Sequence, residues 1–106
     1  PEQWSDRERE EWAHDKLLAH GVEPSRGEEE SEIDYRERLV GEIVRLGYDR
    51  WELTPEGPLY LFNVTRPASS GSSAYPSGST SVTGAGKTVE EAMLMTLAIV
   101  LDMMDR

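Results

Sequence analysis

Between Ala92 and Leu101 only Thr96 is polar, and the apolar side chains run around the whole circumference of a helix instead of along one stripe. A helix of that kind has to be buried on more than one side. In a chain of 106 residues one cover can be a β-sheet, and the other must be a second helix or a second copy of the chain. The run is about half of the roughly 20 residues a membrane span requires, so it belongs to a folded core. Its start is well marked. Thr88-Val89-Glu90-Glu91 has the form of a capping box, Gly84 and Gly86 precede it, and the two glutamates stand where the helix dipole favours negative charge. Met93, Met95, Met103 and Met104 suit either an adaptable interface or the filling of core gaps. A homo-oligomer joined through Met93, Leu97 and Leu101 is therefore expected.

The remaining chain supplies the covers. Ser5-Asp6-Arg7-Glu8 is a second capping box, and it predicts a helix from Ser5 to His20 stopped by Gly21. Its apolar stripe is thin (Trp12, Ala13, Leu17, Leu18 and Ala19), so this helix is expected on the outside of the domain or against a partner chain. Val22 to Glu30 combines Pro, Gly and an acidic run, the composition of a flexible join. A third helix is predicted from Ser31 to Leu46, with Leu39, Val40, Ile43, Val44 and Leu46 toward a sheet and Gly47 closing it. Asp49–Thr54 alternates Trp51 and Leu53 with Arg50 and Glu52, as a half-buried strand does. Thr54-Pro55-Glu56-Gly57 reads as a turn, Leu59–Thr65 as the central strand and Ser79–Thr83 as a polar third strand. The fold class is α+β: an acidic helix and linker over residues 1–30, then one α-β-β-β-α domain over 31–106, with helices packed on a three-stranded antiparallel sheet.

Charge narrows the function. The formal net charge is -10, which repels phosphate at long range and argues against a broad nucleic-acid or anionic-membrane surface. The absence of cysteine removes disulfides, thiol catalysis and zinc-cysteine sites, and suits a reducing cytoplasm. No signal-peptide pattern stands at the start, and Pro1 in place of Met is expected to reflect trimming. The charge is uneven, however. From Pro1 to Arg38 there are thirteen carboxylates against six cations, whereas Gly57 to Val89 has no carboxylate, two cations, seven serines and four threonines. That segment reads either as a solvated hairpin loop or as a local anion site. In the second case Arg66 and Lys87 neutralise the ligand, Tyr75 stacks on it, and Ser79, Thr83 and Thr88 offer hydroxyls near the amides that open the last helix.

Catalytic chemistries fit less well. The P-loop spacing fails because its first glycine would fall at Ser81. His14 and His20 are six residues apart and do not share a helical face, so no metal pair is expected. Glu90 and Glu91 are explained by capping, and no cofactor is implied. These readings favour a binder over an enzyme.

Two resemblances follow from particular residues. Leu39, Gly47, Gly57-Pro58, Phe62, Val64 and the Gly84, Gly86, Thr88, Ala92 spacing resemble the double-stranded RNA-binding domain across roughly Asp34 to Met104. In that family a lysine cluster at the start of the last helix holds phosphates, whereas this chain has Val89, Glu90, Glu91 and Met93 there and keeps only Lys87. The Thr88 and Ala92 entry into the last helix is also similar to small tailed-phage proteins of the ABA-sandwich type. That resemblance implies a small accessory protein in the host cytoplasm, of a kind that can sequester host nucleotide signals or bind host proteins. The expected function is sequestration of a small phosphorylated or nucleotide-like ligand as a host-defence antagonist. The alternatives are an acidic protein-interaction or dimerisation module whose negative N-terminal helix antagonises a basic partner and, third, a degenerate duplex-RNA binder.

Overall fold

Two glycines let the apolar helix settle onto the sheet. A Cβ placed on Gly84 would stand 2.5 Å from the Thr96 backbone nitrogen, and one on Gly86 would stand 2.5 Å from that of Ala92. Helix backbone therefore lies almost directly on strand backbone, which only a strand without side chains at those two positions permits. Thr96, fully buried, spans the contact, and its hydroxyl lies 2.7 Å from the Phe62 carbonyl oxygen and 2.8 Å from that of Ala92. The one polar residue of the apolar run is thus a satisfied buried donor.

The computed structural model describes residues 5–67 and 80–105. Its elements are α1 (Asp6–Ala19), α2 (Glu32–Arg45), β1 (Arg50–Glu56), β2 (Leu59–Arg66), β3 (Thr80–Gly86) and α3 (Val89–Met104). The sheet is antiparallel in the order β1-β2-β3, so the architecture is the expected α+β arrangement with helices on one sheet face. Tyr75, Ser79 and the serine-rich stretch over 68–79 lie outside the described residues.

Strand limits differ from the sequence expectation in two places. The first hairpin turns at Gly57-Pro58, and Pro55 and Glu56 remain in β1 opposite Tyr60 and Leu59. An edge strand tolerates this, since a proline can turn its missing N–H away from the ladder. β3 continues past Thr83 to Gly86 because Gly84, Ala85 and Gly86 pair with Phe62, Leu61 and Tyr60.

Phe62, Val64 and Val82 form the sheet's contribution to the core, and Tyr35, Leu39 and Ile43 form that of α2. α3 contributes Ala92, Met93, Leu94, Leu97, Ala98, Val100 and Leu101. Met93, Leu97 and Leu101, offered by the sequence to a second copy, are buried within the single chain. α1 adds only Ala13 and Leu17 as buried residues. It runs parallel to α3: Asp6 and Lys87 pair at one end, Lys16 pairs with Asp102 and Asp105 at the other, and His20 lies 2.9 Å from Asp105. The Lys16 ammonium at that far end offsets two carboxylates that stand against the negative pole of the α3 dipole. Lys16 accordingly has a raised pKa, chiefly through Asp105, and Asp105 a lowered one, chiefly through Lys16.

The segment expected to be a flexible join is pinned instead. Val22 and Pro24 are buried, and the Tyr35 hydroxyl donates to the Pro24 carbonyl. Arg38 reaches back to the Glu23 carbonyl at 2.7 Å, the Ser25 carbonyl at 2.9 Å and the Glu30 carboxylate at 2.8 Å. One guanidinium thus gathers the whole linker, and it holds the α1-to-α2 connection within one chain. Arg38 first, and the Gly27 amide second, lower the Glu30 pKa to about 2. No described helix is long and apolar enough to cross a membrane.

Two tests follow. Gly84→Ala should destabilise the fold by about 2–3 kcal/mol through overpacking against α3, whereas Gly41→Ala, in α2 with nothing within 4 Å of the added methyl, should stabilise it by up to about 1 kcal/mol. Urea denaturation of the two variants gives opposite signs on this account. For the linker, the depressed Glu30 pKa means that its contribution is complete above the ordinary carboxylate value of 4.5 and is lost as pH falls toward about 2. An NMR titration should place the Glu30 midpoint near the lower figure, and Arg38→Met should return it toward the upper one.

Candidate functional site

The parallel docking of α1 leaves a groove of about 260 Å³ between its first turns, the start of α3 and the adjoining ends of β2 and β3. Ala13, Leu59, Ala85, Leu94 and Met95 provide its apolar lining. Charged groups surround them: Arg7, Arg9 and Lys87 against Asp6, Glu10 and Glu91, with His14 in addition. Three cations meet three carboxylates here, whereas the chain has 21 carboxylates and 11 cations overall. Local neutrality is thus built into a strongly negative protein.

Asp6 sits at the mouth. Its Oδ2 accepts from Lys87 Nζ at 2.9 Å, and its Oδ1 accepts from the Arg9 guanidinium. Each oxygen is matched to one cation, so this triad has an excess of one positive charge. Lys87 first and Arg9 second hold the Asp6 carboxyl below its usual range, and Asp6 in turn raises the Lys87 ammonium. Nearby, Arg7 pairs with Glu11 at 3.1 Å, and the His14 ring lies 4.0 Å from Glu10.

Capping chemistry places Lys87. Thr88 is the N-cap of α3, and its hydroxyl accepts from the Glu91 amide at 3.1 Å. Glu91 returns its carboxylate to the Lys87 amide at 2.9 Å, one residue before the N-cap. The reciprocal pair fixes the backbone at Lys87, but it also occupies groups that the sequence reading offered to a phosphate. Thr88 acts here as a cap.

The other described site residues, Arg66 and Thr83, lie elsewhere. Arg66 ends β2 and pairs with Thr80, whereas Gly86, next to Lys87, pairs with Tyr60. Six residues of strand separate the two ends, roughly 20 Å at strand rise. The Arg66 side chain lies instead near Gly47, at the exit of α2. Thr83 is on the outer sheet face, where Asn63 Nδ2 donates to its hydroxyl at 2.7 Å and to that of Ser81 at 2.8 Å. Among the proposed binding residues that the structure describes, Lys87 alone lines the groove. Asp6, Arg9 and the apolar lining were missed by sequence reasoning. The two capping boxes marked the starts of both helices, but nothing local indicated that those starts would lie side by side.

Among the described residues no group of three or more His, Asp or Glu could hold a metal ion. The chain matches no known protein family, no curated protein and no solved structure.

The triad can be tested by titration. In Lys87→Met the Asp6 carboxyl should move up toward its ordinary value of 3.8, because the larger of its two cationic partners is gone. NMR detection of the Asp6 side chain should record that rise, and an unchanged midpoint would show that the pair does not form in solution.

Proposed function

We propose that this chain is a non-enzymatic binding protein that takes up a small anionic molecule, phosphorylated or carboxylated, in the groove between α1 and α3. One observation carries the reading. At the groove's mouth two cations share a single carboxylate above an apolar lining, in a chain whose net charge otherwise repels anions. A few charged groups converging on an apolar pocket is the usual composition of a small-ligand site. Sequestration of a host signal, as the phage resemblance implies, is one biological use of such binding. The groove lies just under the roughly 300–1,000 Å³ that encloses drug-sized ligands, which favours the smaller candidates.

A ligand bound to the folded state alone raises the melting temperature, by about 2.7 kcal/mol of added stability at one hundred times its dissociation constant. A thermal-shift panel of phenyl phosphate, short-chain carboxylates and AMP should therefore include at least one stabiliser. Lys87→Glu should abolish that shift, while Arg66→Glu, altered at the far end of the hairpin, should retain it. No shift with any anion at millimolar concentration would end this reading.

A second reading, protein interaction, draws on β1 in place of the acidic N-terminal helix that the sequence suggested. Trp51 and Leu53 share the helix-facing side of β1 with their partners Val64 and Phe62, yet they remain 46% and 42% exposed. Glu52 and Glu56 belong to the opposite face of the strand, so the stripe itself is apolar, and the net charge of -10 around it favours a partner that borders its own apolar stripe with lysines or arginines. A Leu/Lys amphipathic peptide should bind the native chain and lose most of its affinity for Leu53→Asp. Equal binding to both would discard this surface.

A further inference from the structure

The mouth of the groove already contains an anion of its own. Asp6 is the first residue of α1, and its carboxylate lies between a cation on its own helix, Arg9, and one at the start of α3, Lys87. This is where the acidic head of a ligand would have to sit to use both cations. The two side chains of the inter-helix pair are 67% and 58% exposed for Lys87 and Asp6, so solvent and solutes reach them. Exposed ion pairs of this kind contribute little, about 0–1 kcal/mol, and another carboxylate can replace one at small cost. Beneath the mouth, Leu94, Met95, Ala85 and Leu59 offer apolar contact. Glu10 and Glu91 add two carboxylates to the same lining, which disfavours a second anionic group on the ligand.

Resting on the binding reading above, we infer that Asp6 is an internal stand-in for the ligand's head group, and that the ligand is a small amphiphile with one negative charge on a short apolar body. A multiply charged phosphate matches the site poorly. It would bring several charges to a triad with an excess of only one, and it would leave the apolar lining in contact with polar groups. A medium-chain carboxylate satisfies both parts. Its head replaces Asp6 between Arg9 and Lys87, and its tail covers the side chains beneath. Asp6 then acts as a competitor that lowers affinity and releases its hold on α3 when the ligand enters.

The test uses decanoate, below its micelle-forming concentration, in calorimetric titrations against the native chain, Asp6→Asn and Lys87→Met, with decanol and inorganic phosphate as probes of the tail and head alone. Removing the competitor should tighten decanoate by about twofold to fivefold, the range an exposed ion pair spans. Lys87→Met should weaken decanoate and abolish its advantage over decanol, and phosphate should bind less tightly than decanoate. Circular dichroism should show both variants folded, since the Ser5 cap of α1 and the Thr88 cap of α3 are untouched. If Asp6→Asn binds decanoate no more tightly than the native chain, the stand-in role is overturned. If phenyl phosphate or AMP binds but decanoate does not, the amphiphile is overturned while the anion-binding reading stands. If no anion binds either the native chain or Asp6→Asn, both fail.

Discussion

The close approach of α3 to β3 governs the rest of this molecule. Ordinary helix-on-sheet packing keeps two layers of side chains between the backbones, and Gly84 and Gly86 remove one of them. With the helix seated that low, the Thr96 hydroxyl can span to the Phe62 carbonyl on the neighbouring strand. The hydroxyl also reaches the Ala92 carbonyl within its own helix, so the bond to Phe62 serves to tie α3 to β2. The same seating sinks an apolar helix deep enough that one small chain covers most of its circumference. Two glycines and one hydroxyl thus let a single chain bury Met93, Leu97 and Leu101, the residues the sequence offered to a second copy.

What remains uncovered is the flank where α1 lies. α1 has few apolar residues to contribute, and complete burial of Leu17 is worth about 2–3 kcal/mol. Position is set by complementary charge at the two ends of the helix: Asp6 with Lys87, and Lys16 with the carboxylates at the far end of α3, where the His20 ring also reaches Asp105. Charge holds alignment without filling space, because ionic side chains meet at their tips and leave a gap beneath. The groove is the result. A helix with a full apolar stripe would have closed it.

Much of the fold was legible in the sequence because its signals are local. Ser5, Ser31 and Thr88 fill the N-cap positions of the three helices, and the alternation around Trp51 together with the apolar run from Leu59 marked two strands. Signals that depend on distant partners were not legible. Val22 to Glu30 has the composition of a flexible segment, yet Arg38 and Tyr35 on α2 fix it, and neither reads locally as a linker anchor. The candidate site divided along the same line. Lys87 was found because glycines and a cap point to it, but its counter-ion Asp6 is 81 positions earlier in the chain, and only the parallel docking of two helices brings them together. Arg66 and Lys87 seemed companions because both interrupt a carboxylate-free stretch, whereas a hairpin sends its two ends in opposite directions only if the strand register is known.

The net charge of -10 is thus a poor description of the surface a ligand would meet. At an ionic strength near the physiological value, charges more than about 8 Å apart are largely screened from one another. An anion at the groove's mouth therefore interacts mainly with Asp6, Arg9 and Lys87, and only weakly with the carboxylates along the outer face of α1. The long-range field slows its arrival, and the local triad determines its binding. Because one wall of the groove is α1 itself, the site exists only while that helix is docked. Any molecule that binds there must also favour the docked state. A ligand that replaces the Asp6 carboxylate removes one clamp and supplies apolar contact to both helices in its place, so it exchanges a solvent-screened attachment for a buried one.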